Sequence, residues 1–309
     1  MINLHFSPEV EAAMQNGRAI VALESTIITH GMPFPQNMET AQIVEEDIRK
    51  SGAIPATIAV LEGELHIGLT EEELERLAQA KNVAKLSRAD LASCIATGGT
   101  GSTTVAATMI AAKLAGIEVF ATGGIGGVHR GAESSFDISA DLQELAQTQV
   151  TVVCAGAKAI LDLAKTWEVL ETLGVPVMAY GQDQLPAFWS AKSEHAAPIR
   201  MDHPKDIARA IMTRTDIGLP GGHLICNPIP SDAEIPLSEI STHIDTALAE
   251  ADAKKIGGKE VTPFLLGRIF ELTEGQSLVA NIALVRNNAR LAASIAKELS
   301  NLKKETASN

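Results

Sequence analysis

Val150-Thr151-Val152-Val153-Cys154-Ala155-Gly156-Ala157-Lys158 is the stretch on which the fold turns. Its first residues are β-branched or apolar without alternation, as in a strand covered on both faces of a parallel sheet. Small residues end the run, Gly156 permits a sharp turn, and Ala157–Leu173 has helical spacing up to Gly174. A lysine is unexpected at such a strand-to-helix junction. A helix start carries partial positive charge, which disfavours a cation and favours a neutral, nucleophilic amine. The alternative is a lysine whose stem lies on apolar surface while its charge stays in water.

The same alternation extends outward on both sides. Ala19–Leu23 reads as a strand, Asn37–Ser51 as an amphipathic helix ended by Gly52, and Thr57–Leu61 as a second strand. Glu62-Gly63-Glu64 suits a hairpin turn into Leu65–Gly68, and Thr70 with Glu73 forms a capping box for a helix over Thr70–Ala80. A helix at Thr103–Leu114 and strands at Val119–Ala121 and Pro176–Tyr180 follow. Between Gly181 and Pro236 the pattern is irregular, with a helix at Pro204–Thr213 and a strand at His223–Cys226. The last helix, Ser277–Leu302, carries an apolar stripe through Ile282, Val285, Ala289 and Leu291, and Lys303–Asn309 is expected to fray. These elements predict a single α/β domain over residues 1–309, three layers α/β/α around a mostly parallel central sheet. Such sheets bind ligands beyond the carboxyl ends of their strands, where Glu24, Gly123, Gly124 and Lys158 all fall.

Composition removes several classes of partner. A formal charge of −13 opposes nucleic-acid backbone or an anionic membrane as the main ligand, so an anionic substrate needs a locally positive pocket. With 3% aromatic residues, a stacking platform for single strands is not expected. Cys94, Cys154 and Cys226 are sparse and unpaired in spacing, which points to reduced thiols in a cytoplasmic protein. The first residues lack the basic and apolar regions of a signal peptide, and the apolar run Val105–Leu114 is broken by Lys113, so no membrane span is expected.

Two glycine-rich stretches carry candidate chemistry. Gly98-Gly99-Thr100-Gly101-Ser102-Thr103-Thr104-Val105 opens a helix, where converging N–H groups suit phosphate, although a close-packed turn has the same composition. It is neither a P-loop, lacking the lysine, nor GxGxxG, since Thr104 holds the sixth position. The second, Gly123-Gly124-Ile125-Gly126-Gly127-Val128-His129-Arg130-Gly131, ends in two residues that reach phosphate or else lie solvated on a loop. Ala96-Thr97-Gly98-Gly99 and Ala121-Thr122-Gly123-Gly124 echo one another. Asp141 and Glu144 have the spacing of a helix cap, whereas Asp137, beside serines, suits a hard divalent cation held largely by water. Glu24 suits a general acid among apolar walls, or a strand-end carboxylate facing solvent. Asn281, Asn287 and Asn288 interrupt an apolar helix and need partners in backbone or ligand. The sequence has no HExxH, no GxSxG and no His/Cys metal-ligand spacing.

Taken together, these segments resemble the pseudouridine-5′-phosphate glycosidase family, also called indigoidine synthase A-like. The matching runs are Ala22–Pro33, Gly101–Val105, Gly126–Glu133, Phe136–Asp141 and Ala155–Lys158, with Asn281 and the pair Asn287-Asn288. The likeness covers nearly the whole chain apart from Gln182–Ile217, so it assigns no base contact to Phe188 or Trp189. The resemblance implies reversible cleavage of the C–C glycosidic bond of pseudouridine 5′-phosphate to uracil and ribose 5-phosphate. Breaking a bond to carbon calls for an electron sink, and an iminium on lysine supplies one. By resemblance Lys158 is then the nucleophile, Glu24 the proton donor, and Asp137 the ligand of a divalent metal, Mn²⁺. Lys85, His129 and the helix start at Thr104 would serve the phosphate, and the Val105 backbone, Ser139-Ala140-Asp141 and Asn281 would contact the substrate. The resemblance also implies a homotrimer.

Two other functions fit the same features. A class I aldolase-like lyase on a sugar phosphate would use the same lysine and phosphate loop without needing uracil. A non-catalytic phosphosugar sensor would keep the glycine loops and need neither Lys158 nor Glu24.

Overall fold

The computed structural model describes residues 3–257 and 261–307. Its strands are β1 (Leu4–Phe6), β2 (Ile20–Leu23), β3 (Ile54–Leu61), β4 (Glu64–Ile67), β5 (Ala84–Leu86), β6 (Gly101–Thr103), β7 (Val119–Ala121), β8 (Thr151–Cys154), β9 (Val177–Tyr180), β10 (Ile199–Met201) and β11 (Leu224–Cys226). Its helices are α1 (Pro8–Gln15), α2 (Gln36–Lys50), α3 (Glu71–Gln79), α4 (Arg88–Ala96), α5 (Val105–Leu114), α6 (Ala132–Ser135), α7 (Ala140–Gln147), α8 (Leu163–Thr172), α9 (Pro204–Asp216), α10 (Leu237–Ala253), α11 (Val261–Leu272) and α12 (Gln276–Ala307). A π-helix, Ile27–Gly31, follows β2.

The strands form one sheet in the order β1-β4-β3-β2-β7-β8-β11-β9-β10, with β5 and β6 as a branch beside β3. Antiparallel pairing among the described strands is confined to β3 with β4 and β6. β3 is buried along its whole length and belongs to both patterns. Ile54–Thr57 run parallel to β2, while Ile58–Leu61 run antiparallel to β4. The hairpin expected at Glu62-Gly63-Glu64 joins these two strands. On one face α12 packs on β2, β7 and β8 and against α2 and α9; on the other α5 lies on β2, β3 and β7 and against α7. The three layers expected from the alternation are therefore present.

Three local expectations change. The helix expected from Ala157 begins at Leu163, because Asp162 accepts the Lys165 N–H at 3.1 Å and caps the helix there. Lys158 therefore lies on the turn before the helix, not at the helix start whose field was expected to act on it. At the other glycine stretch, Gly101–Thr103 is strand rather than helix, and Thr104 is the N-cap of α5. The chain expected to fray from Lys303 remains helical to Ala307, and Ser308 and Asn309 lie outside the described residues.

Candidate active site

Glu24 leaves the carboxyl end of β2 half-buried, and both of its oxygens are engaged. One accepts from the hydroxyl of Thr26, the other from that of Thr122, the first residue after β7. Thr122 is itself held, its N–H donating to Val153 O at 3.0 Å and its carbonyl accepting from Asn288 Nδ2 at 2.8 Å. Asn288 is fully buried on α12 and accepts from Asn227 Nδ2 at 3.1 Å. The apolar-helix asparagine thus finds its partners in backbone and a second asparagine, and through Thr122 it fixes Glu24. The walls beneath Glu24 are apolar, formed by Leu23, Ile28, Val44, Ala121 and Val285.

Lys158 projects from the turn after β8, one strand beyond Thr122. Its N–H donates to Ile125 O at 3.1 Å, and Ala155 N–H donates to Gly123 O at 2.8 Å, so the lysine turn is laced to the second glycine loop. Gly156 has φ +88°, and a side chain there would come within 2.9 Å of Pro186 O. The lysine is half-buried on this scaffold. Electrostatically it meets His129, whose imidazole also feels Asp137 and Lys85. Burial first, then the two lysines, hold the His129 imidazole below the usual histidine range, against the opposing pull of Asp137. His30 in the π-helix is lowered in the same way, by burial and by Lys85, and its Nδ1 lies 2.6 Å from Thr29 Oγ1 and 3.3 Å from Ser102 Oγ. Lys85, His129, Asp137 and Lys158 therefore share one neighbourhood, with two lysines against one aspartate in an acidic chain.

Asp137 is half-buried at the turn after α6, its carbonyl accepting the His129 N–H at 3.0 Å. Arg130 turns away to Asp245, 2.9 Å distant, so His129 is the residue of that pair that faces the lysines. At the start of α5, Thr104 Oγ1 is buried without a hydrogen-bond partner, an unusual state for a helix cap. The Ala106 N–H beyond it donates to Asp141 Oδ1 at 2.9 Å, and Gly126 N–H donates to Asp141 Oδ2 at 2.8 Å. Asp141 is therefore a brace between α5 and the glycine loop. It is not the cap that its spacing to Glu144 suggested: Ser139 caps α7, accepting the Asp141 N–H at 3.2 Å. Glu144, fully buried, pairs instead with Arg88. Ala140 opens the same helix exposed.

Asn281 lies apart on α12, its Oδ1 accepting from Trp189 Nε1 at 2.9 Å. Asn287 donates to Pro228 O at 3.0 Å. Trp189 is fully buried, and Phe188 packs against Gly124. The middle segment thus reaches the glycine loop, which the irregular sequence there gave no means of seeing. Thr122 and Asn227 also went unnoticed, though the Ala121-Thr122-Gly123-Gly124 echo marked the first. Its counterpart Ala96–Gly99 ends α4 rather than a strand, so the echo carries no structural symmetry.

The chain as a whole is similar to proteins of one family. A family model described as indigoidine synthase A like protein matches residues 9–298. A pseudouridine-5′-phosphate glycosidase of Roseobacter denitrificans is 69% identical over 96% of both chains, and one of Petrotoga mobilis is 57% identical over 96% of both. Among solved structures, the prealnumycin C-glycosynthase AlnA in complex with ribulose 5-phosphate superposes with a TM-score of 0.91 at 39% identity, covering 98% of each chain. An indigoidine synthase A-like protein from Thermotoga maritima reaches 0.88 at 33% identity over 97% of each. With a family model matched over residues 9–298 and a relative 69% identical over 96% of both chains, the chain belongs to the indigoidine synthase A-like family.

Proposed function

We propose that the chain is a pseudouridine-5′-phosphate glycosidase, reversibly splitting the C–C glycosidic bond into uracil and ribose 5-phosphate through an iminium on Lys158. One observation carries this: a fixed carboxyl, Glu24, and a half-buried amine, Lys158, leave β2 and β8 on either side of β7 at the carboxyl edge of the sheet. In the cleavage direction, the amine of Lys158 bonds to C1′ as the C1′–O4′ bond breaks, and Glu24 delivers the proton that O4′ takes up. The proton shed by the attacking nitrogen restores Glu24, which passes it to uracil C5; the C1′–C5 bond then breaks, its electrons staying with the base. The nitrogen lone pair completes the C1′=N double bond. Water hydrolyses this iminium, releasing ribose 5-phosphate and restoring the amine.

The phosphate fits Lys85, the His129 imidazole as a hydrogen-bond donor, and the start of α5, where the unpartnered Thr104 hydroxyl and the Val105 N–H lie. A complex of the AlnA relative with ribulose 5-phosphate supports a phosphopentose ligand. A divalent cation such as Mn²⁺ fits Asp137: a single half-buried carboxylate with serines nearby is an oxygen donor completed by water. When bound it would supply charge neutralisation to the phosphosugar. Membership of the family supports a homotrimer in the cytoplasm, checked by light scattering and by fractionation. Among the described residues, no helix is long and apolar enough to cross a membrane.

Borohydride trapping with ribose 5-phosphate, read by intact mass and peptide mapping, tests the chemistry. A single sugar adduct on Lys158, absent in Lys158→Ala, and consumption of uracil in the reverse direction are expected. Trapping without uracil consumption would favour an aldolase-like lyase. Tight ribose 5-phosphate binding unchanged by Lys158→Ala, with no adduct, would favour a sensor.

A further inference from the structure

Far along the sheet from Lys158, β1 and β4 pair in parallel with His5 opposite His66. Opposed residues on neighbouring strands share one face, and the two rings lie 4.4 Å apart between centroids, tilted by 41°. Glu73, on the first turn of α3, meets them from above. Its Oε2 is committed to the capping box, accepting from Thr70 N–H at 2.8 Å and Thr70 Oγ1 at 2.9 Å. The other oxygen is turned to the histidines, 3.1 Å from His66 Nδ1 and 4.0 Å from His5 Nε2. All three donor atoms lie within 4.8 Å of one another.

His66 supplies a second, independent observation. It is 6% exposed, yet its Nδ1 is buried without a hydrogen-bond partner. Glu73 Oε1 is near enough to accept a proton from that nitrogen but lies out of hydrogen-bonding alignment with it. Two ligands of one tetrahedral cation stand in this relation: bonds of about 2.0–2.2 Å place neighbouring donors about 3.3 Å apart, each off the other's lone-pair axis. The capping box holds Glu73 in place as an outer hydrogen bond holds a metal-binding carboxylate. His5 has a half-exposed side chain, free to rotate and close the 4.0 Å that separates it from Glu73 Oε1.

We propose that His5, His66 and Glu73 bind one transition-metal ion, Zn²⁺ foremost, with the remaining position open to water. Two imidazoles and one carboxylate suit Zn²⁺ or its neighbours, whereas Mg²⁺ and Mn²⁺ prefer oxygen sets such as that at Asp137. The ion would pin the edge strand β1 to α3 through β4. His66, Ala59, Ser102 and Lys85 follow one another in register across β4, β3, β6 and β5, so the site shares a sheet face with Lys85, three strands away.

The test is competition for Zn²⁺ against a chromophoric chelator, using metal-stripped protein in an Asp137→Asn background so that the other carboxylate does not contribute. One Zn²⁺ per chain is expected, with affinity reduced at least tenfold by His66→Gln and by His5→Ala. His5 is exposed on an edge strand, so its variant keeps the test independent of the buried His66. An anomalous peak between the two imidazoles in a zinc-soaked crystal would place the ion. Sub-stoichiometric binding, or stoichiometric binding that both histidine variants leave unchanged, overturns the proposal.

Discussion

The carboxylate of Asp141 accepts the Gly126 N–H at 2.8 Å, and the same carboxylate takes the Ala106 N–H, the second of α5, at 2.9 Å. A methyl group on Gly126 would sit 2.9 Å from Asp141 Oδ2 and against Ser139 as well. Gly126→Ala should therefore cost about 1–3 kcal/mol through overpacking and pull the glycine loop off the α5 start. A lowered melting temperature together with a raised KM for the nucleotide checks this; a fall in stability alone would mean that the brace does not position substrate.

Glu24 has both oxygens fixed by hydroxyls, so its role is orientation as well as proton transfer. Glu24→Gln should lower kcat by about 10²–10⁴ while leaving the unfolding transition in place. Thr122→Val frees one oxygen and should cost about tenfold at most in kcat, as a single hydrogen bond to an uncharged carboxyl is worth about 0.5–1.5 kcal/mol. Steady-state kinetics beside thermal melts separate the two. Equal losses in both variants would show that Thr122 contributes more than orientation.

At Asp137, exhaustive chelation should remove turnover and added Mn²⁺ should restore it, whereas Asp137→Asn should stay inactive with or without the ion. Full activity after chelation would refute metal dependence. Zinc retained by the chelated protein at His5 and His66 would not restore turnover, which distinguishes the two ions.

His223 precedes β11 at the end of the sheet remote from Glu24 and Lys158, buried near Thr151. Burial, reinforced by Arg214, lowers its pKa from 6.5 to about 4. The unfolded chain takes up this proton as pH falls through 6.5 while the folded chain resists until about 4. Stability is thus present above the unfolded value and is lost across that window, by about 3 kcal/mol. Denaturation by urea at pH 7 and at pH 4 measures the loss. His223→Gln should shrink it.

The sheet was legible because its central strands are apolar without alternation and end in small residues. The edges were not. β1, β5 and β6 have three residues each, too few for any period to show, yet they carry His5, Lys85 and Ser102. Lys158, Glu24 and Asp137 were visible as isolated oddities beside strands or glycines, and their grouping came from resemblance and then from geometry. The mistaken helix start at Ala157 has a plain cause: Ala157–Ile160 suits a helix, but the bridge to Ile125 claims the backbone first, and Asp162 offers the better cap. The cluster of His5, His66 and Glu73 spans distant stretches of chain, so no spacing rule finds it.

β3 changes partners halfway, and this fixes its length to the residue. Side chains in a strand alternate faces, so deleting one residue within Ile54–Leu61 would leave either the half beside β2 or the half beside β4 facing the wrong way. Both faces are buried, so neither half has a solvent side to absorb the inversion. A surface loop tolerates a change of length far better; this one segment is a ruler against which the carboxyl edge holding Glu24 and the branch holding Lys85 are set in phase.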